Sequence, residues 1–112
     1  MSVDDRGLID IMSFDKENGR VVLTISDHLD WSDSLSHQLV LQEKFNSYLA
    51  FVESGELHER YPDATDRTIV FRVVFRYKPD KEGRLFLDRA RRVIESAGFK
   101  FHHELFADSY DN

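Results

Sequence analysis

Apolar and polar residues alternate along the chain with two different periods, and the changes of period mark out its elements. Residues 8–14 and 20–26 are apolar runs flanking Asp15-Lys16-Glu17-Asn18-Gly19. Asn18 and Gly19 accept positive φ readily, so the two runs predict a β-hairpin with a slightly long loop. In the second run Val21, Leu23 and Ile25 alternate with Val22, Thr24 and Ser26, which puts one apolar row on one face of a strand. The period then lengthens. Over residues 32–54, Leu41, Phe45, Tyr48, Leu49 and Val52 share one helical face, with Gln38 and Gln42 at its border. Asp30 or Ser32 is the expected N-cap of this helix, and Gly55 is its expected stop. Val40 and Phe51 fall on the opposite side, where they are expected to be exposed.

Residues 56–67 read as a polar connector containing Pro62. Residues 68–77 carry the strongest strand pattern: Ile69, Phe71, Val73, Phe75 and Tyr77 form one row, and Val70, Arg72, Val74 and Arg76 the other. Asp80 is a natural N-cap for a second helix over 81–97, whose Phe86, Leu87, Ala90, Val93, Ile94 and Ala97 lie together and which Gly98 closes. A last strand over 99–106 leads to a polar tail, 107–112, expected to fray. Residues 1–106 therefore make one α+β domain of element order β-β-α-β-α-β. Each helix buries only one stripe, so both belong on a sheet. The expected architecture is two-layer, a four-stranded mixed sheet with two helices on one face and a parallel crossover at its C-terminal end. Phe45, Phe71, Phe75, Phe86 and Phe101 are expected to fill its middle.

Composition narrows the function. The chain has 112 residues and no cysteine, which removes disulfides and thiolate metal sites. The first residues are acidic where a secretory signal would be basic, and no apolar run approaches the ~18 residues of a membrane span. A cytoplasmic protein is expected, with no membrane partner. Net charge is −6, from 21 acidic and 15 basic side chains, so the surface repels phosphate backbones and nucleic acid is not an expected partner.

Candidate chemistry is sparse. Asp33 and His37 stand four apart on the first helix, with His28 and Asp30 nearby, a spacing that lets two ligands face one ion. Two ligands do not make a site, and a solvated helix start explains them as well, so no metal and no cofactor are expected. Asp27, Asp30 and Asp33 beside Trp31 offer carboxylates for acid–base work, but capping alone accounts for Asp and Ser at a helix start. There is no nucleophile elbow and no glycine-rich phosphate loop. His103 shares a row with Phe99, Phe101 and Leu105 and reads as a core-edge histidine, whereas His102 points outward with Lys100 and Glu104.

Two surfaces remain as partner-binding candidates. The outer sheet face displays Arg72, Arg76, Lys100 and His102 among Val22, Thr24, Val70 and Val74. That mixture fits a solvated face with cross-strand Arg–Glu pairs, or a face that docks an acidic segment, an anionic ligand or a second copy. Val40 and Phe51 on the first helix form the rival surface.

Residues 41–55 read L-Q-x-K-x-N-x-Y-L-x-F-V-E-S-G, preceded by a strand ending Ile25-Ser26-Asp27 and by Trp31, and followed by Ala97-Gly98-Phe99 after the second helix. In these features nearly the whole chain resembles a bacterial family of small uncharacterised proteins, with Phe45 where isoleucine is expected. The resemblance implies a fold and no activity. It draws attention to Gln42 and Asn46, four apart, and to a structural role for Gln42 in holding segment 27–31 against the helix. Trp31, Gly55 and Gly98 complete the expected structural set.

The expected function is a non-enzymatic protein-interaction module, a homodimer or the binder of one partner. A narrower form is an immunity or antitoxin-like protein that neutralises a basic toxin by electrostatic steering. The alternative is a small-ligand or hydrolytic enzyme with its site at Asp27, His28, Asp30, Trp31 and His37, which requires a concave pocket beside the start of the first helix.

Overall fold

The computed structural model describes residues 11–15 and 17–110. The expected first strand begins at residue 8, and residues 8–10 lie outside the described ones. Strands β1 (Ile11–Asp15) and β2 (Arg20–Asp27) form the antiparallel hairpin. Its turn is closed by the Asp15 carboxylate, which accepts from the Asn18 amide at 2.9 Å, from the Arg20 guanidinium at 3.0 Å and from the Glu17 N–H at 3.1 Å. The Asn18 amide, and then Arg20, hold the Asp15 pKa down to about 2. Gly19, at φ 67°, lets the chain re-enter the sheet.

The long helix α1 (Ser34–Glu53) follows, then a short helix α2 (Glu56–Arg60), a 3-10 turn at Pro62–Ala64, strand β3 (Ile69–Tyr77), helix α3 (Lys81–Ser96) and strand β4 (Lys100–Tyr110). The sheet order is β1-β2-β3-β4, with β1/β2 antiparallel and both β2/β3 and β3/β4 parallel. This is the expected mixed sheet of an α+β domain.

Three boundaries differ from expectation, each for a local reason. The connector is not merely polar, because Leu57 is fully buried and pins α2 beneath the end of α1. A single leucine sets no period, so the pattern hid it. The N-cap of α1 is Asp33, not Asp30 or Ser32; its carboxylate accepts from the Ser36 N–H at 3.2 Å and the Ser36 hydroxyl at 2.9 Å. Strand β4 continues to Tyr110, which pairs with Tyr77 after a register shift, so the strand outruns its expected end at Phe106.

Register assigns the two faces. The inner row is Val21, Leu23, Ile25 and Asp27 on β2, Ile69, Phe71, Val73 and Phe75 on β3, and Phe101, His103 and Leu105 on β4. Phe45, Phe71, Phe75, Phe86 and Phe101 are all buried, with Phe45 edge-on to Phe101 at 5.5 Å. Each contributes about 1.5–3 kcal/mol of burial free energy before ordering costs. His103 is half-buried at the edge of this core, 5.9 Å from the Phe75 ring.

Candidate functional site

The inner row of β2 ends not on a hydrophobe but on Asp27, and the buried stripe of α1 begins with His37. Strand alternation aims the first under the helices, and helical spacing back from Leu41 aims the second at the sheet. They meet. His37 Nε2 lies 2.5 Å from Asp27 Oδ2, with both side chains almost wholly out of solvent (2% and 0% exposed). The other carboxylate oxygen accepts from the Leu29 N–H at 3.0 Å, and His37 Nδ1 lies 3.0 Å from the Asp30 carbonyl. Segment 27–31 is thus tied to the helix at two points, both on His37.

Trp31 covers this pair. Its indole stacks on His37 with ring centroids 3.8 Å apart, and its N–H donates to the Tyr77 carbonyl at 3.2 Å. A Cβ at Gly83 would come within 2.7 Å of the indole, so α3 can pass the ring only with a glycine there. Asp80 caps α3, accepting from the Gly83 N–H at 2.7 Å and from the Ser34 hydroxyl at 3.1 Å, which links the starts of both long helices.

The arrangement constrains its chemistry. A carbonyl oxygen faces His37 Nδ1, so that nitrogen must carry a proton, and Nε2 is engaged by Asp27. With indole over its ring, His37 has no nitrogen left to turn toward a substrate. A general base of the His/Asp type keeps one ring nitrogen free for the reacting group. Open α/β sheets commonly bind ligands at the carboxyl ends of parallel strands, and the corner formed by Asp27, His37 and Trp31 occupies that position on β2 and β3. Here one N–H at each helix start, that of Ser36 and that of Gly83, already bonds a cap carboxylate, Asp33 or Asp80, and those carboxylates repel a second anion.

A cleft of about 330 Å³ does open beside the start of α1, lined by His28, Asp30, Ser32, Asp33, Ser36 and His37. Its carboxylates are turned to local bonds. Asp30 accepts from the Ser32 hydroxyl at 2.7 Å and the Ser32 N–H at 3.1 Å, contacts that lower its pKa, and Asp33 is the helix cap. The spacing of Asp33 and His37 that suggested an ion serves capping at one end and the buried pair at the other.

Other expected residues take different places. Gln42 and Asn46 are exposed, and the task given to Gln42, holding segment 27–31, falls to His37. Val40 and Phe51 are half-buried and packed against the core, with Arg60 over the Phe51 ring at 5.8 Å, so they form no exposed docking pair. Lys44 is a buried cation that the apolar pattern does not reveal. It shares the stripe of His37, Leu41 and Tyr48, is fully buried, and holds its ammonium 5.6 Å from the Tyr48 ring centre. Leu35, Leu39 and Val93 are exposed apolar residues of the helices that line a groove between α1 and α3, and Leu85 of α3 is exposed outside it.

On the outer face, Arg72 stands opposite His102 and donates to Glu104 at 2.7 Å, the cross-strand Arg–Glu pair that alternation suggested. This bond holds the Glu104 pKa below its ordinary value. His102 approaches the same carboxylate at 3.5 Å, while Arg76 and Lys100 stay exposed. Phe106, 49% exposed, sits beside Val74 and Arg76 over a small hollow. Val22 and Val74 are half-buried.

No helix among the described residues is long and apolar enough to cross a membrane. Neither a curated protein nor a solved structure is significantly similar to the chain. A family model does match, across residues 1–107, and by that match the chain belongs to DUF6572, a family of unknown function.

Proposed function

We propose that this chain is a non-catalytic protein-interaction domain, and that it engages its partner through the β3–β4 side of its outer sheet face. One observation carries the reading. Three of the four strands, β2, β3 and β4, pair in parallel, and all-parallel sheets are normally covered on both faces. Their strands then read as nearly continuous apolar runs, as β3 does in Ile69-Val70-Phe71 and Val73-Val74-Phe75. Among the described residues the helices cover one face only. On the other, Val74 and Phe106 lie among Arg72, Arg76 and Lys100, so the complementary partner presents carboxylates around an apolar centre.

The closed bonding of His37 supports the non-catalytic half of the reading. A basic toxin, the narrower partner considered, matches the net charge of −6 but not this basic strip, and would need to sit elsewhere on the surface. The cytoplasm is the compartment proposed, in keeping with the cysteine-free composition.

Quantitative capture by tagged chain from its own cells tests the reading. The double variant Arg76→Glu/Phe106→Asp should lose a protein that wild type retains, while Leu39→Asp on the helical side should keep it. Equal recovery on all three would refute the outer face as the docking surface.

A further inference from the structure

Strand β4 is the edge of the sheet, and among the described residues no strand pairs with its outer side. It has 11 residues and no proline, and Leu105 and Phe106 stand 42% and 49% exposed on its two faces. Long uncovered edges are templates for another strand unless proline, bulges or charge blunt them. Here the register shift falls after Leu105, which leaves 100–105 regular, and the charges of that stretch, Lys100 and Glu104, are of opposite sign. We infer that β4 pairs antiparallel with β4 of a second copy, about a two-fold axis through His103, to make one continuous eight-stranded sheet. The inference deepens the interaction reading by naming one partner, and it rests on that reading only for the claim that the domain associates at all.

The strand sequence is complementary to its own reverse about that axis. His102 falls opposite Glu104 of the second copy, Phe101 opposite Leu105, and Lys100 opposite Phe106. A two-fold interface demands such self-complementarity, and directly opposed residues share a face of the sheet. The imidazole-to-carboxylate pairs then lie on the outer face, and the apolar pairs continue the inner core. Moving the axis to Glu104 sets two carboxylates against each other. Moving it to His102 places Phe106 opposite Gly98, outside the strand.

At the axis itself the two His103 side chains meet on the inner face. Burial, together with the nearby Arg91 and His102, lowers the His103 pKa against the opposing pull of Asp88. Neutral imidazoles therefore meet without charge repulsion. The outer faces of both copies become one surface, which doubles the strip carrying Arg72, Arg76 and Lys100.

The test uses the full chain and exploits its lack of cysteine. Sedimentation of wild type at about 100 μM should give twice the chain mass of 13.2 kDa, because assembly follows concentration. Directly opposed Cα atoms in antiparallel strands lie ~4.5–5.5 Å apart, within the ~4.4–6.8 Å that a disulfide bridges. The single substitution His103→Cys should therefore give a disulfide-linked dimer under mild oxidation, and Ser13→Cys on the opposite edge strand should not. Leu105→Asp, which sets a carboxylate against the second copy's Phe101, should raise the dissociation constant about tenfold or more. A chain that sediments at one mass throughout, or a dimer whose His103→Cys form does not crosslink, overturns the inference. Either result leaves capture through Arg76 and Phe106 standing, whereas equal recovery by wild type and Arg76→Glu/Phe106→Asp, in a chain still dimeric, strikes the earlier reading alone.

Discussion

Replacing His37 with leucine is expected to destabilise the protein by about 3–5 kcal/mol, because Asp27 is then left buried without its charged or donating partner. The carboxylate would keep the Leu29 N–H as its remaining bond and have no exposed surface through which to recruit water. Asp27→Leu is expected to cost less, about 1–3 kcal/mol, since His37 keeps its contact to the Asp30 carbonyl. The double variant Asp27→Leu/His37→Leu should be more stable than His37→Leu alone, because two apolar side chains leave nothing unpaired in the core. Denaturant unfolding of the four proteins closes the cycle. Strict additivity of the two single losses would show that the pair is not coupled, and the account of the corner would be wrong.

Gly83→Ala is the second large effect, and its sign is the informative part. Alanine inside a helix is normally worth up to about 1 kcal/mol over glycine. At this position the added methyl meets the Trp31 indole at 2.7 Å. The ring cannot move aside freely, since its far face stacks on His37 and its N–H is held by the Tyr77 carbonyl. The net result should be a loss of about 1–3 kcal/mol, read as a fall in Tm of about 5–15 °C. Trp31→Phe in the same background should recover part of that loss by clearing the space the methyl needs. An alanine variant as stable as wild type would mean that Trp31 does not lock α3 to the corner.

Much of this architecture can be read from spacing alone. Period two over 69–77 and period 3.6 over 81–97 give the strand and helix that the structure contains, and alternation alone separates His102 from His103. The corner shows where such reading stops. Asp27 continues the row of Val21, Leu23 and Ile25, and His37 continues the stripe of Leu41, Phe45, Tyr48 and Val52 back toward the N-terminus. Both signals are present in the sequence, but a search for apolar rows ends at the first polar residue. Lys44 escapes for the same reason. Gln42 drew attention as a polar residue at the edge of an apolar face, yet an edge position on a helix faces solvent as readily as core. The bond between Arg72 and Glu104 needed only residue types and alternation. Which of the acidic groups around Trp31 would be buried needed register, which depends on how strands 20–27 and 69–77 align.

The corner holds α1 and α3 to the sheet, and the outer face is the surface proposed to act. Asp27→Leu/His37→Leu alters only the first, and Arg76→Glu/Phe106→Asp only the second. The most direct test is capture of the same protein by both tagged variants at a temperature where both are folded. Full recovery on the corner variant, with loss on the outer-face variant, is the predicted result. Loss on a folded corner variant, with full recovery on the outer-face variant, would place the function at Asp27 and His37 and contradict the account.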